Sequence, residues 1–395
     1  MDALHDNHEK DAHYWKKINC TPLSSYVPND KYIIVTPWRG GMNNVRLSFE
    51  LSCALAYCTN RVLVVPDLCY IDHLSSEKWR YDLRLFFDFD DLGISVMTLS
   101  DFCNKENIAQ TQPDVDALNK LCTVYDVNNF DTCHNYINVS NSNHNSGQNS
   151  VLPKCFSNRT EVTLPIDSKY VHFDKCLLGT FYSMLRHSNT DEANRVKRYV
   201  HRHVHYRPEM FEAAMKVVGW LKRERCGGAD GEYYAMHVRR GDFLQCDYKT
   251  TCISMEDVMK NIEPHIANPN ACIYIATDSA DLSEFNALHM NYTVVTFRDV
   301  LMHVDVIMEI NPVFHGIVEQ IICAHGTKFF SHPLSTFSNY VHRLRGYIPS
   351  GVSDAFCYQT TTPEKMRMTM DSGWACASNV WSKEFVDGYL NLMPD

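Results

Sequence analysis

Between Tyr233 and Phe330 short β-branched and aromatic runs alternate with helical patterns, an arrangement that few folds can satisfy. Tyr233–Val238 (YYAMHV), Cys272–Ala276 (CIYIA), Tyr292–Thr296 (YTVVT) and Lys328–Phe330 read as strands, and helical periodicity occupies the intervals around Ser254–Ile262, Asp281–Met290 and Val304–Ala324. Strands that are apolar throughout are covered on both faces, and helices between them join parallel neighbours. The expected core is a parallel sheet with helices on both sides.

The same grammar opens the chain. Tyr32–Thr36 (YIIVT) leads through Pro37-Trp38-Arg39-Gly40-Gly41 into a helical segment from Asn43 to Tyr57, followed by Arg61–Pro66 (RVLVVP). Strand, glycine turn, helix and strand within about 35 residues make a βαβ unit. Three helical segments are expected between Lys175 and Arg225, the last ending at the Gly227-Gly228-Ala229-Asp230-Gly231 break, which is the candidate domain boundary. With 395 residues the chain is long enough for two cores. The expected organisation is an extension over 1–29, a Rossmann-like domain over 30–228, a second over 229–350, and an extension over 351–395 with a closing helix near Asn379–Leu392. Residues 105–170 read as an irregular insertion, and Asn138–Ser150, almost without apolar residues, as a surface loop.

A formal net charge of −10 argues against a general nucleic-acid binder, which needs surplus Lys and Arg to displace counterions. A local basic pocket for a nucleotide diphosphate remains compatible with it. No apolar run approaches the roughly 20 residues of a transmembrane helix, and Met1–Lys17 is polar and His-rich. No membrane contact is expected from the chain as given; it belongs to the ER or Golgi if a targeting segment has been removed, and otherwise to the cytoplasm. Among the sixteen cysteines there is no C-x-x-C pair. Cys53, Cys272 and Cys323 lie in apolar segments and read as core residues, whereas Cys122, Cys133, Cys155, Cys246 and Cys252 lie in loop-like stretches and are available for pairing. Asn-x-Ser/Thr sequons at Asn19, Asn138, Asn158 and Asn291 are about what chance supplies in this composition. His201, His203 and His205 are spaced by two, which does not suit a helical zinc pair, and read as a solvated helix end.

In an open parallel sheet, ligands bind beyond the carboxyl ends of the strands. Four compact polar motifs fall there: Arg39-Gly40-Gly41, His237-Val238-Arg239-Arg240-Gly241-Asp242, Thr277-Asp278 and Ser335-Thr336-Phe337-Ser338. Adjacent Arg239 and Arg240 point to opposite sides of an extended chain, so one of them is expected to face a ligand. A guanidinium can grip a diphosphate with paired hydrogen bonds. Ser335 and Thr336 precede a helical segment, and hydroxyls with unpaired N–H groups at a helix start suit a phosphate, although they also suit an ordinary cap. Gly40-Gly41-Met42-Asn43-Asn44 is neither a dinucleotide fingerprint nor a Walker loop; it permits close backbone approach to a ligand, or makes a plain strand-to-helix turn.

Taken together, these residues form a set that resembles a known superfamily. Gly40-Gly41-Met42-Asn43-Asn44-Val45-Arg46, with its following helix and RVLVVP strand, resembles the first motif of protein O-fucosyltransferase-like enzymes. His237-Val238-Arg239-Arg240-Gly241-Asp242 resembles the H-x-R motif that these share with α1,6-fucosyltransferases and bacterial nodulation fucosyltransferases, and Ala276-Thr277-Asp278 and Ser335-Thr336-Phe337 resemble the last two motifs. The resemblance, over about residues 30–350, implies a GT-B fold, two facing Rossmann-like α/β domains with the active site in the cleft between them. It also implies a metal-independent inverting transfer of L-fucose from GDP-β-L-fucose to a hydroxyl of a protein or glycan acceptor, with no further cofactor. Gly41, Asn43, Asn44, His237, Arg239, Arg240, Asp278, Ser335, Thr336 and Phe337 are the implied donor-binding residues, with Arg239 on the diphosphate.

One protein-fucosylating branch carries a Glu beside the glycine turn as base, where this chain has Trp38-Arg39-Gly40. In α1,6-type enzymes a carboxylate several residues after the paired Arg is implicated, a place that Asp247 approximates; Asp242 is the other candidate. Two alternatives use the same residues: a GT-B transferase for another nucleotide sugar, and a binding protein that kept the fold without turnover.

Overall fold

The computed structural model describes residues 26–36, 40–74, 80–108, 123–126, 136–138, 161–163, 168–174, 185–186, 195–196, 199–200, 202–227, 231–241, 244, 253–268, 270–332, 335–345 and 355–358. Two compact units divide at Arg207/Pro208, one helix before the glycine-rich break at 227–231. The fold is α/β with two five-stranded parallel sheets, one in each unit, as the GT-B plan requires.

In chain order, the strands of the first unit are β1 (Tyr32–Thr36), β2 (Val62–Val65), β3 (Val96–Thr98), β4 (Thr123–Asp126), β5 (Tyr136–Asn138), β6 (Glu161–Thr163), β7 (Tyr170–Asp174) and β8 (Leu185–Arg186). The main sheet runs β3-β2-β1-β7-β4, and β6-β5-β8 form a small separate sheet; β4, β5 and β6 lie in the region expected to be an irregular insertion, whereas β8 is a strand in the stretch from Lys175 to Arg225 expected to be helical. The expected βαβ unit is present: helix α1 (Met42–Thr59) joins β1 to β2, which pair in parallel. From Val45 to Tyr57 every residue of α1 is buried. That includes Arg46 and Glu50, one turn apart and 2.8 Å from each other, with the Arg46 guanidinium 4.2 Å from the centre of the Tyr206 ring. Pairing lets two charges sit in a core that would otherwise reject them. The helix stops at Asn60, whose left-handed backbone (φ 52°, ψ 34°) returns its N–H to Ala56 and Tyr57. His203, expected in a solvated helix end, instead stacks on Tyr199 and places Nδ1 2.7 Å from the Asp91 carbonyl.

The second unit carries β9 (Tyr233–Val238), β10 (Cys272–Thr277), β11 (Thr293–Thr296), β12 (Phe329–Ser331) and β13 (Ala355–Cys357), ordered β11-β10-β9-β12-β13 and all parallel. Four of these strands are the expected ones, with ends shifted by a residue. β13 was not anticipated. Besides α1 and α2 (Leu99–Lys105), the helices of seven or more residues are α3 (Pro208–Trp220), α4 (Met255–Ile262), α5 (Phe297–His303), α6 (His315–Ala324) and α7 (Thr336–Arg345). The long helix expected over Val304–Ala324 is interrupted before α6, at Asn311-Pro312, where Pro312 starts a new 3-10 turn. Alternation along the strands divides the core into two layers. Tyr234, Met236, Val238, Ile273 and Ile275 pack with Met255, Val258 and Ile262 of α4. On the other face, Tyr233 donates its hydroxyl to Ile322 of α6 at 2.6 Å. Cys272 is buried as expected, but it is disulfide-bonded to Cys226. Among the described residues, no helix is long and apolar enough to cross a membrane. The expected closing helix near 379–392 and the loop 139–150 lie outside the described residues.

Candidate functional site

β9 is the middle strand of its sheet, and its register brings Ala276 of β10 and Ser331 of β12 level with His237. The segments leaving these three strands therefore emerge together at the carboxyl end, where open α/β sheets bind their ligands. His237, Arg239, Arg240, Asp278, Ser335, Thr336 and Phe337 are all on these segments.

His237 is buried, with Nδ1 2.8 Å from Ser338 Oγ and its ring stacked on Phe337 at 4.2 Å. Burial, helped by the nearby Arg239 and His332, lowers its pKa to about 3. The ring is neutral at physiological pH, and Nε2 has no hydrogen-bond partner among the described residues. Gln320 of α6 fixes the Phe337 backbone by donating to its carbonyl at 3.2 Å.

The two arginines are separated by the end of the strand. Arg240 is buried: Nε contacts Glu284 at 2.8 Å, Nη1 donates to the Ile253 carbonyl at 3.2 Å, and the main-chain N–H donates to Asp278 Oδ1 at 2.6 Å. Arg239 is half-buried. Thr277 ties the β10 end to β9 by donating to the Val238 carbonyl at 2.7 Å. Gly241 is needed here because a Cβ would lie 2.7 Å from Asp278 Oδ2, so any larger residue must displace that carboxylate.

Ser335 is buried immediately before α7, and its Oγ has no hydrogen-bond partner among the described residues; the same holds for Asn339 Oδ1 one turn later. A buried hydroxyl without a partner costs about 1–3 kcal/mol. A ligand oxygen at the start of α7 would satisfy Ser335 and the unpaired N–H groups of the first turn together.

Glu319 was not singled out in the sequence, although an acid within the apolar helix HGIVEQIICA is a visible anomaly. It is half-buried and accepts a hydrogen bond from Tyr274 at 3.0 Å, and desolvation, with Asp278 nearby, raises its pKa to about 8 despite that bond. Between the ordinary value of 4.5 and about 8 the folded protein holds a proton that the unfolded chain has lost, so Glu319 makes stability fall as pH rises through this window. Glu319→Gln is expected to flatten that fall, as read from urea midpoints at pH 5 and pH 8. Parallel pH dependence in the variant and the parent would contradict it.

Gly41, Asn43 and Asn44 lie in the first unit at the start of α1. Gly41 caps the helix without a side-chain bond, and both Asn residues are half-buried in the first turn. A Cβ on Gly40 would fall 2.9 Å from Asn44 Cβ, so this close turn requires glycine. Arg39, Asp242 and Asp247 lie outside the described residues.

Half-buried Arg239, neutral His237 and the start of α7 gathered at the carboxyl ends of a parallel sheet have the layout of a ligand site in an open α/β fold. Residues 32–348 match the model of the GDP-fucose protein O-fucosyltransferases, most of the chain's length, and the chain belongs to that family. It is thereby a member of the GDP-fucose-dependent fucosyltransferases. Among solved structures it is similar to POFUT1 in complex with GDP, at 14% identity over 84% of this chain and 99% of that one, with a TM-score of 0.47. It is also similar to NodZ α1,6-fucosyltransferase soaked with GDP-fucose (15% identity, 80% and 92% covered, TM-score 0.40) and to fucosyltransferase NodZ from Bradyrhizobium (15%, 80% and 93%, TM-score 0.42). No curated protein sequence matches the chain significantly.

Proposed function

We propose that this chain transfers L-fucose from GDP-β-L-fucose to a hydroxyl of a protein or glycan acceptor with inversion at the anomeric carbon. The observation that carries the reading is the orphaned, buried Ser335 hydroxyl at the start of α7, in the same cluster as neutral His237 and half-buried Arg239. A neutral imidazole, a helix start and a guanidinium can hold a diphosphate without placing another anion beside it. His237, Ser335, Thr336 and Phe337 are assigned to the nucleotide and its phosphates, Asp278 to the nucleoside, and Arg240 to the loop that presents them.

In the chemical step the acceptor oxygen attacks the anomeric carbon as the bond to the β-phosphate oxygen breaks, and the electron pair leaves with GDP. Arg239 meets that growing charge. The acceptor proton passes to a carboxylate, for which Asp247 and Asp242 are the candidates.

The protein is expected to bind GDP and GDP-fucose in the presence of a chelator, because Arg239 and the α7 start supply the positive field. Calorimetry with GDP, GDP-fucose and UDP tests this. Loss of binding on chelation, or preference for UDP over GDP, would overturn the reading.

A further inference from the structure

Four sequons occur in the chain, and Asn291-Tyr292-Thr293 is the one whose side chains are all described. The Asn291 and Tyr292 amides both donate to the Leu288 carbonyl, at 3.1 and 2.9 Å, closing a turn that delivers the chain into β11. Tyr292 is buried in the core with Ile273 and Val294, while Asn291 and Thr293 are exposed. The buried tyrosine anchors the turn, and the residues on either side of it, Asn291 and Thr293, are open to solvent. The Asn291 carboxamide makes no hydrogen bond with any described residue. Both groups that a sequon-reading transferase must engage are exposed where the turn enters β11.

A second observation concerns the compartment. Cys226, just beyond α3, is bonded to Cys272 at the start of β10, with a Cα separation of 5.2 Å. Disulfides persist in secretory and extracellular compartments and are rare in reducing ones. The register sets Cys272 level with Thr293, so the disulfide and the sequon lie at the same end of the sheet.

We infer that Asn291 carries an N-linked glycan. The carboxamide nitrogen attacks the anomeric carbon of an oligosaccharide held on a polyprenyl diphosphate. A C–N bond forms as the C–O bond to phosphate breaks, the electron pair leaves with the polyprenyl diphosphate, and the amide loses one proton to the transferase. Asn291 precedes the amino end of β11, whose four residues span about 10 Å, so the glycan leaves from the end of the sheet remote from the His237 cluster. The inference does not depend on the donor reading.

The test is peptide mapping of the full chain isolated from its own cells, with peptide N-glycosidase digestion in 18O-water. An 18O-labelled Asp at position 291 is expected, and the glycopeptide is expected to vanish in Asn291→Gln and Thr293→Ala and to persist in Thr293→Ser. Asn291→Gln should turn over donor at the parent rate. Mapping at position 291 separates this site from the other three sequons. Recovery of the Asn291 peptide unmodified overturns the proposal, whether Cys226 and Cys272 are found oxidised or as free thiols.

Discussion

Arg239→Ala is expected to lower fucose transfer by about a hundredfold to a thousandfold, the loss seen when one preorganised donor to developing charge is removed. The guanidinium acts on an electron pair that reaches the β-phosphate oxygen as the glycosidic bond breaks, so the loss should appear in kcat more than in KM. Arg239 is half-buried at the end of β9, and its removal should leave the urea midpoint near that of the parent. Arg240→Ala gives the contrast. It strips Glu284 and the Ile253 carbonyl of their partner, and its larger effect should be on stability. Near-parental turnover in Arg239→Ala would place the diphosphate elsewhere.

The second large effect is on folding. Arg345, at the end of α7, is 1% exposed, and its Nη1 donates to the carbonyls of Ala324 at 3.1 Å and of Gly326, while Nη2 donates to Thr327 at 3.1 Å. These three carbonyls form the turn between α6 and β12. One buried guanidinium thus fastens the end of the Ser335 helix to the strand entrance beside β9. Hydrogen bonds from a charged donor are worth about 1.5–3 kcal/mol each, and Arg345→Met would leave the carbonyls buried without that partner. A loss of at least about 3 kcal/mol is expected. Hydrogen exchange of the β9 amides is the suitable readout, because a two-unit chain need not unfold in one step. Unchanged protection would refute the role given to Arg345.

The parts of this structure that were legible in the sequence are those in which neighbours along the chain decide the outcome. YYAMHV, CIYIA and RVLVVP announce strands because a parallel sheet buried on both faces leaves no polar alternation to confuse the pattern. The glycine turn before α1 was legible for the same reason. β13 was missed because three residues, Ala355–Cys357, carry no periodicity, and the strand exists by pairing with β12. Adjacency showed that Arg239 and Arg240 point apart, but not which one turns inward. That choice is made by Glu284, 44 residues further on. Glu319 was overlooked, and Ser338 was named in its motif without a role, because their roles depend on Tyr274 and His237, which reach them through the fold and not along the chain. Cys272 was read as a core residue and is buried; its partner Cys226 lies 46 residues upstream, beyond any local signal.

The decisive measurement is donor turnover by wild type and Arg239→Ala across a panel of GDP- and UDP-sugars, in chelator and with the product nucleotide quantified. The wild type is expected to release GDP from GDP-fucose and to turn over the other donors little, and Arg239→Ala to lose that release with GDP binding still measurable. Equal turnover of a UDP-sugar, or release unaffected by the substitution, would contradict the proposed function.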